Sequence, residues 1–243
     1  MRVRYLDDGR QPRWGRYEDG HIVTGEGRID ATSVIWLPPA IPSKIICLAR
    51  NVAAHAAERD AEVPERPEYF LKPPSALSAH GGTVRVPGPI ESVDYEAELA
   101  AVIGEHARGV EVDNALDVVA GLTCMNDLSN RADQRRELNW VRGKAFDGSA
   151  PLGPGLVDPE HVPSDASITL SVNGERRQHG TRADYEFDLE TVIVDVTRYL
   201  TLEPGDVIAL GTTAGVGPLD DGDGVTIDIE GIGTLAHEVR YAH

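Results

Sequence analysis

The segment V-D-Y-E-A-E-L-A-A-V-I-G, residues 93–104, places two carboxylates on one face of a predicted strand. Residues two apart on a strand point to the same side, so Glu96 and Glu98 project together. The same face becomes apolar at Ala100 and Val102. Two interpretations are open: a strand that runs from solvent into the core, or two buried acids compensated by a cation, since uncompensated buried like charges are costly.

A third carboxylate, Asp127, ends the apolar run G-L-T-C-M-N-D, which predicts a buried strand. At such a position a carboxylate is either a helix N-cap or a ligand. Together with Glu96 and Glu98 it would complete three oxygen donors, the set that suits Mg²⁺, Mn²⁺ or Ca²⁺ rather than Zn²⁺. The sequence contains no Cys/His spacing typical of a zinc site.

A second pair of chemically useful residues is His55 and Glu58, three apart in the predicted helix A-R-N-V-A-A-H-A-A-E-R. They share a helix face, so the carboxylate could orient the imidazole or share a proton with it; the alternative is a surface pair without function. The polar, Pro-rich segment 60–70 follows, and it is predicted to be a loop that could close over a substrate.

Lysine is scarce in this chain, which otherwise uses arginine: the three lysines are Lys44, Lys72 and Lys144. Each is a candidate for a place that needs a compact ammonium with an adjustable pKa, although three residues are few enough to be chance. Lys144 lies in a Gly/Pro-rich loop, 143–154, and a second Gly-rich segment, 211–217, follows a strand. Neither matches a phosphate-binding pattern, but glycines permit close backbone approach to a ligand.

The composition bounds the class of protein. At 243 residues and 41% hydrophobic content, the chain can form one substantial domain with a small appendage. Forty acidic residues against 23 Lys and Arg give a formal net charge of -17, which disfavours nucleic acid and anionic membranes as partners. An acid-rich, lysine-poor chain of this kind resembles proteins of halophiles, in which salt screens the self-repulsion.

Three further features of the sequence bear on the cellular compartment. The chain has no apolar run long enough for a transmembrane helix and no secretory signal at its start, and both cysteines, Cys47 and Cys124, lie in apolar runs. We therefore expect a cytoplasmic protein without a disulfide framework.

The elements that must position these residues are mostly strands. Short strands with Gly-rich turns and then a Pro-rich linker predict a small N-terminal β domain, 1–42, before a catalytic domain, 43–243. Strands exceed helices and βαβ crossovers are few, so we expect a mixed β (α+β) fold rather than a doubly wound sheet. Predicted helices cover 128–138, with Ser129 as a possible N-cap, and 186–200. Asn173-Gly174 predicts a β-hairpin.

A series of motifs in residues 43–235 resembles the fumarylacetoacetate hydrolase family. No single motif is specific, but their order and spacing together are. The resemblance implies a β-sandwich roll with a mixed sheet and few peripheral helices, and a homodimer. The motifs are K-I-I-C-L-A-R-N-V-A-A-H-A-A-E, F-L-K-P-P-S-A-L, V-D-Y-E-A-E-L-A-A-V-I-G, C-M-N-D-L-S-N-R-A-D-Q, G-K-A-F-D-G-S-A-P-L-G-P, V-N-G-E-R-R-Q, L-x-P-G-D-V-I and G-T-T-A-G-V-G.

The resemblance also implies roles for individual residues. It implies a bound Mg²⁺ or Mn²⁺ (Ca²⁺ is also possible in vitro), a His–Glu dyad that deprotonates a water, a lysine beside the metal, and side chains that contact a 2-oxo or 2,4-dioxo acid. These residues are, in that order, Glu96, Glu98 and Asp127; His55 and Glu58; Lys144; and Arg50, Arg131, Gln134 and Thr212.

Two positions depart from the family pattern. Val52 stands where the family often has tyrosine, which would loosen one wall of the site, and Thr213 stands where it has proline. Neither change removes a catalytic group.

The expected activity is hydrolysis of a C–C bond in acylpyruvate-type substrates. Decarboxylation of oxaloacetate and isomerisation or hydration of a 2-hydroxydienoate use the same parts and remain alternatives. A metal- or ligand-binding protein without catalysis, and a purely structural cation site, are the alternatives from other classes.

Overall fold

The computed structural model describes residues 1–242, so His243, the last residue of the expected catalytic domain, lies outside it. The backbone forms nineteen strands and four α-helices in this range. The strands are β1 Arg2–Leu6, β2 Pro12–Glu18, β3 His21–Thr24, β4 Gly27–Asp30, β5 Ile35–Leu37, β6 Ile45–Ala49, β7 Glu68–Lys72, β8 Leu77–Ala79, β9 Thr83–Val86, β10 Val93–Tyr95, β11 Ala97–Ile103, β12 Val119–Asn126, β13 Ala150–Val157, β14 Ser167–Val172, β15 Glu175–Thr181, β16 Val207–Thr212, β17 Gly217–Leu219, β18 Gly224–Ile229 and β19 Gly233–Tyr241. The helices are α1 Ala53–Glu58, α2 Arg131–Gln134, α3 Val141–Lys144 and α4 Leu189–Tyr199.

The strands form one large sheet, one five-stranded sheet and a two-stranded ribbon. In the large sheet the order is β4-β3-β2-β1-β13-β12-β11-β16-β6-β7, with β5 beside β1 and β8 beside β13. The five-stranded sheet runs β15-β14-β18-β19-β9, and β10 pairs with β17. The pairs β6–β16, β8–β13 and β9–β19 are parallel and the others antiparallel. The predicted mixed β fold is confirmed.

Strand β11 lies at the centre of the large sheet, and both of its faces are buried. Leu99 and Ala101 face the main core, which also contains residues of β14, β18 and α4. Ala100 and Val102 face a second apolar cluster on the other side of the sheet. The period-2 pattern of the sequence therefore identified both faces correctly. A strand buried on both faces has no room for uncompensated charge, which is why the acids at its start need partners.

The helices are shorter than the sequence predicts. The helix expected over 128–138 is a single turn, Arg131–Gln134, and Asn130 rather than Ser129 caps it by accepting the N–H of Asp133. Ser129 is unavailable because its backbone pairs with Asp94 and its hydroxyl donates to the Asp127 carbonyl. The prediction of Ser129 as the cap was wrong.

Other local predictions can be compared in the same way. The predicted loop 60–70 ends early, since β7 begins at Glu68. The predicted helix 186–200 is present as α4, capped by the Asp188 side chain, and β14 and β15 form the predicted hairpin. No helix in residues 1–242 is long and apolar enough to cross a membrane.

Strands β1–β5 form the end of the large sheet beyond β13, and β1 joins β13 through one pairing, between Arg2 and Leu156. They bury a small apolar cluster of their own, which includes Val3 and Ile22. We propose that residues 1–42 are a separable unit resting on the edge of the catalytic sheet. Gly155 of β13 lies directly against residues 1–3.

A side chain at Gly155 is expected to detach this unit. A Cβ there would collide with the Arg2 carbonyl oxygen and would lie 2.8 Å from side-chain carbons of Met1 and Val3. We expect Gly155→Val to cost about 2 kcal/mol locally. Hydrogen exchange followed by mass spectrometry should show protection lost in 1–42 and kept in the rest of the chain.

The matched control is Gly25→Ala, since a Cβ at Gly25 would meet nothing within 4 Å. This variant should exchange like the wild type. If Gly155→Val instead lowers protection throughout the catalytic sheet, the N-terminal strands belong to one cooperative unit with it and the division at residue 42 is wrong.

Candidate active site

The three predicted acids form one buried cluster. Glu96 lies between β10 and β11, Glu98 lies near the start of β11, and Asp127 directly follows β12. Oxygen atoms of Glu96, Glu98 and Asp127 all lie within 4.8 Å of one another. The three residues are only 3%, 1% and 1% exposed. This burial removes the interpretation that the acids sit where the strand is still in solvent.

Backbone hydrogen bonds hold the cluster in place. Glu96 lies between the two strands, where its N–H donates to the Asn126 side-chain oxygen at 2.8 Å and its carbonyl accepts the N–H of Asp127 at 2.9 Å. Because β11 and β12 are paired in register from Ala97 and Asn126 onwards, the ends of these strands bring the acids together. The antiparallel pairing of β11 with β12 thus brings Glu96 next to Asp127, although about thirty residues separate them in the sequence.

Two buried lysines neutralise part of this charge. Lys144 Nζ donates to Glu96 Oε2 at 2.5 Å and to Asp127 Oδ2 at 2.6 Å. Lys72 Nζ donates to Asp127 Oδ1 and to the Ser149 carbonyl. Burial alone would lower the pKa of Lys144, but Asp127 and Glu96 outweigh it and the pKa is raised.

Lys72 was not among the predicted site residues, although the scarcity of lysine pointed to it. It is 1% exposed and lies at the end of β7. Lys44, the third lysine, is elsewhere and forms an ion pair with Asp206. Two of the three lysines therefore belong to the carboxylate cluster.

Arg131 and Gln134, which the family resemblance assigned to substrate contact, are hydrogen-bonded to each other. Arg131 donates from Nη2 to Glu96, from Nε to Asp94 at 2.9 Å and from Nη1 to the Gln134 side-chain oxygen at 2.8 Å. Burial would raise the pKa of Glu96, but Arg131, Lys144 and the nearby imidazole hold it well below the usual range. Glu96 is therefore a carboxylate at all ordinary pH values.

Glu98 is the member of the cluster that forms no ion pair with a lysine or arginine among residues 1–242. Its Oε2 accepts the N–H of Gly211 at 2.9 Å. Burial, then the charges of Asp127 and Glu96, raise its pKa well above the usual value. Glu98 therefore has no positively charged partner, although its carboxylate oxygen lies within 4.8 Å of oxygens of Glu96 and Asp127. The residues fit a divalent cation, and the cluster can hold one.

The His55 imidazole lies between two acids beside this cluster. Its Nδ1 is 3.4 Å from Glu58 Oε2, and its Nε2 is 3.8 Å from Glu96 Oε1. Glu58 is held by the Gly215 N–H, which donates to its Oε1 at 2.8 Å. Burial lowers the pKa of His55 more than Glu96 raises it, so the imidazole is neutral near pH 7 and able to accept a proton.

Gly215 itself explains part of the G-T-T-A-G-V-G segment. It has φ +98°, and a Cβ there would come within 2.5 Å of the Arg177 carbonyl oxygen. Only glycine lets the segment approach closely enough to hold Glu58.

Gln178 is a second residue that sequence analysis did not assign. Its amide nitrogen donates to Thr212 Oγ1 at 2.8 Å and to the Thr213 carbonyl at 2.7 Å, while its oxygen accepts the N–H of Ala97 at 3.0 Å. Since Gln178 uses a lone pair of the Thr212 hydroxyl, that hydroxyl keeps its own proton to donate into the site. The residue lies within the quoted V-N-G-E-R-R-Q motif, which was the available signal.

Nine of the ten predicted site residues line one cleft of about 640 Å³, and Asp127 lies just behind Lys144. Arg50 is at the rim, where it forms an ion pair with Glu68. Phe70, Trp140, Arg59 and Arg135 also line the cleft and were not predicted to do so. The structure thus brings the predicted dyad, acids and cations into a single site.

Residues 44–240 match the family described as fumarylacetoacetate (FAA) hydrolase, C-terminal. The chain belongs to this family. The resemblance suggested by the motifs is confirmed, and the family includes isomerases and decarboxylases as well as hydrolases.

Similar proteins cover most of the chain. An uncharacterized protein of Archaeoglobus fulgidus is 41% identical over 97% of this chain and 94% of its own length. The oxaloacetate tautomerase YisK of Bacillus subtilis is 38% identical, over 82% of this chain and 70% of its length. The crystal structure of a 5-carboxymethyl-2-hydroxymuconate delta-isomerase from Mycobacterium smegmatis is 34% identical, covers 100% of both chains and superposes with a TM-score of 0.90.

Neutralising Glu98 is expected to separate fold from metal binding. In the metal-free protein burial and the neighbouring acids raise the pKa of Glu98, so folding near pH 7 must offset the cost of neutralising or burying its carboxylate; Glu98→Gln removes that cost and should raise the free energy of unfolding by about 1 kcal/mol or more. Mg²⁺ or Mn²⁺ at about 100 times its dissociation constant should stabilise the wild type by about 2.7 kcal/mol and leave the variant unchanged. Urea unfolding with and without metal measures both.

The control is Glu105→Gln, which changes an exposed acid outside the cluster. It should respond to metal like the wild type. A metal-dependent stabilisation that survives Glu98→Gln would show that the cation binds somewhere else.

His237, on β19, supports the cluster from behind. Asn126 uses its oxygen to accept from Glu96, so its amide nitrogen donates to His237 Nε2 at 2.9 Å. The His237 proton is then on Nδ1, which has no hydrogen-bond partner among residues 1–242. Burial lowers the pKa of His237 to about 4, so the ring is neutral and keeps the Asn126 amide correctly oriented.

This burial makes the fold sensitive to acid. An unfolded histidine with a pKa of about 6.5 binds a proton that the folded His237 refuses until its pKa of about 4 is reached. The unfolded state therefore binds more protons in this window, and the free energy of unfolding should fall by about 3 kcal/mol as pH decreases from 6.5 to 4. His237→Gln, which keeps an acceptor for Asn126, should show a shallower loss in urea titrations.

His161→Gln, at an exposed histidine, is the matched control and should follow the wild-type pH profile. If the free energy of unfolding falls equally with decreasing pH in the wild type and in His237→Gln, this histidine does not cause the loss of stability in acid.

Proposed function

We propose that the protein is a metal-dependent hydrolase that cleaves a C–C bond in acylpyruvate-type (2,4-dioxo acid) substrates. The observation that carries the proposal is the neutral His55 imidazole, which lies between Glu58 and Glu96 in the same cleft as the carboxylate cluster. A general base within reach of a metal site is what activation of a water molecule requires.

We infer that the native ion is Mg²⁺ or Mn²⁺, because the donors are three carboxylates without thiolate or imidazole ligands. Glu96, Glu98 and Asp127 would hold it. When bound, it would act as a Lewis acid toward the carboxylate and 2-oxo group of the substrate and reverse the local negative field, so that an anion can bind.

The protein's own residues provide binding and proton transfer. The Thr212 hydroxyl donates to a substrate oxygen, and the Lys144 ammonium offsets negative charge that develops on the 2-oxo acid. His55 removes a proton from water, and the oxygen of that water bonds to the distal carbonyl carbon. The bond between that carbon and C3 then breaks, its electron pair forms the enolate of pyruvate, and the proton on His55 returns to C3. The products are pyruvate and a carboxylic acid.

Keto–enol tautomerisation or decarboxylation of oxaloacetate is a second candidate, supported by the similarity to the Bacillus subtilis tautomerase. Tautomerisation moves a proton between C3 and the enol oxygen and needs no attacking water. His55 can shuttle that proton from the same position.

We also propose that the chain forms a homodimer, as the family resemblance implies. Light scattering coupled to size-exclusion chromatography measures the mass in solution, and a monomer would make this part of the proposal wrong.

A turnover assay tests the activity. Acetylpyruvate, fumarylpyruvate and oxaloacetate would be offered in parallel with Mg²⁺ or Mn²⁺ at high salt, with pyruvate, keto–enol ratio and CO₂ as readouts. We expect cleavage of an acylpyruvate and a loss of about 10²-fold or more in kcat for His55→Ala, since general-base catalysis typically contributes that much.

His106→Ala, at an exposed histidine that does not line the cleft, is the matched control and should retain full activity. Cleavage that survives His55→Ala would remove the imidazole from the mechanism. Turnover of oxaloacetate alone would favour the second candidate, and no turnover of any substrate would make both candidates wrong.

A further inference from the structure

The basic side chains that line the cleft differ in whether they form ion pairs with acidic residues of the protein. Arg50 pairs with Glu68, Lys144 with Glu96 and Asp127, and Arg59 lies 3.5 Å from Asp94. Arg131 donates from all three of its nitrogens, as described above. These side chains are committed to acids of the site and hold its shape.

Arg135 is the exception. It is exposed and lines the cleft, and its side chain makes no ion pair or hydrogen bond with residues 1–242. Two other acids line the cleft without pairing with Arg135: Glu68 forms an ion pair with Arg50, and Asp60 forms no ion pair with Arg135. The cleft thus has one arginine whose five N–H donors are available to a ligand.

The position of Arg135 follows from that of Arg131. Its N–H bonds to the Arg131 carbonyl at 3.1 Å, so the two are related as i and i+4 and share a helix face. Four residues of helix advance about 6 Å. Arg131 contacts the carboxylate cluster and is half-buried, whereas Arg135, one helical turn further along the chain, lines the same cleft and is exposed. One helical turn is comparable to the length of a short dioic acid, so a single ligand can reach from the cluster to Arg135.

Two aromatic side chains, Phe70 and Trp140, also line the cleft. The rings of Phe70 and Trp140 meet edge-to-face with centroids 5.3 Å apart, and Lys144 Nζ is 5.2 Å from the Phe70 centroid. Trp140 has φ +56°, a left-handed conformation that is strained for a bulky residue. In this backbone conformation the Trp140 indole packs against Phe70 and lines the cleft.

We propose that Arg135 is a specificity-determining residue that binds the distal carboxylate of a dioic 2-oxo acid, whose carbon chain lies against Phe70 and Trp140. This assignment rests on the proposed function, since it places the 2-oxo acid end at the carboxylate cluster. It narrows the substrate class to dioic acids over monoacids of the same chain length.

Calorimetric binding tests the assignment without turnover. With saturating Mg²⁺, the probes are matched pairs that differ only in the distal carboxylate: 2-oxoglutarate against 2-oxopentanoate, and 2-oxoadipate against 2-oxohexanoate. We expect the wild type to bind the dioic member of at least one pair about tenfold more tightly, as a charge-assisted hydrogen bond predicts. Arg135→Gln should abolish that preference.

Arg136→Gln is the matched control, because Arg136 is the neighbouring exposed arginine and does not line the cleft. It should keep the preference. Equal affinities within each pair for the wild type, a preference retained in Arg135→Gln, or a preference lost equally in Arg136→Gln would each overturn the assignment. Binding of no 2-oxo acid at all would overturn the proposed function and the assignment with it.

A second variant separates the contribution of the aromatic side chains from that of the arginine. Trp140→Asn keeps a residue that tolerates the left-handed backbone and removes the indole. Affinity for both members of a pair should fall by about fivefold alike, leaving their ratio intact. A change confined to the dioic member would show that Trp140 and not Arg135 discriminates the distal group.

Discussion

Repulsion among three buried carboxylates is the constraint around which this structure is organised. Glu96, Glu98 and Asp127 lie close together where solvent cannot screen them. Lys72 and Lys144 are buried with them, in a chain that contains only three lysines. Glu98 forms no ion pair with a lysine or arginine among residues 1–242, and a metal ion held by the three carboxylates would supply the missing positive charge.

The β-sheet makes this concentration of charge possible. The pairing of β11 with β12 and β16 buries both faces of the central strand, and that burial fixes the backbone from which the acids project. A chain of hydrogen bonds then extends outward, from Glu96 to Asn126 and on to His237. The neutral ring of His237 belongs to the same arrangement, because a protonated ring would turn a donor toward the Asn126 amide.

Much of the fold and of the site could be predicted from local sequence. Alternation in β10 and β11 identified which residues face which core, and the residue types and spacing pointed to a cluster of three carboxylates that can hold a metal ion. Helices were less predictable: residues 128–138 have helical propensity, yet Ser129 is drawn into pairing with Asp94 and only one turn forms. Propensity contributes a few tenths of a kcal/mol per residue, so tertiary hydrogen bonds override it.

The sequence by itself determined the strand-rich architecture, the acids, the dyad and the family, because periodicity, residue chemistry and motif order are properties of the chain. Only the tertiary structure decided how charge is distributed among them. It showed that Lys72 pairs with Asp127, that Gln178 donates to Thr212, and that Arg135 has no acidic partner within residues 1–242. Ion pairing and burial depend on contacts between residues far apart in the chain, and no local pattern records which of several arginines is left for a ligand.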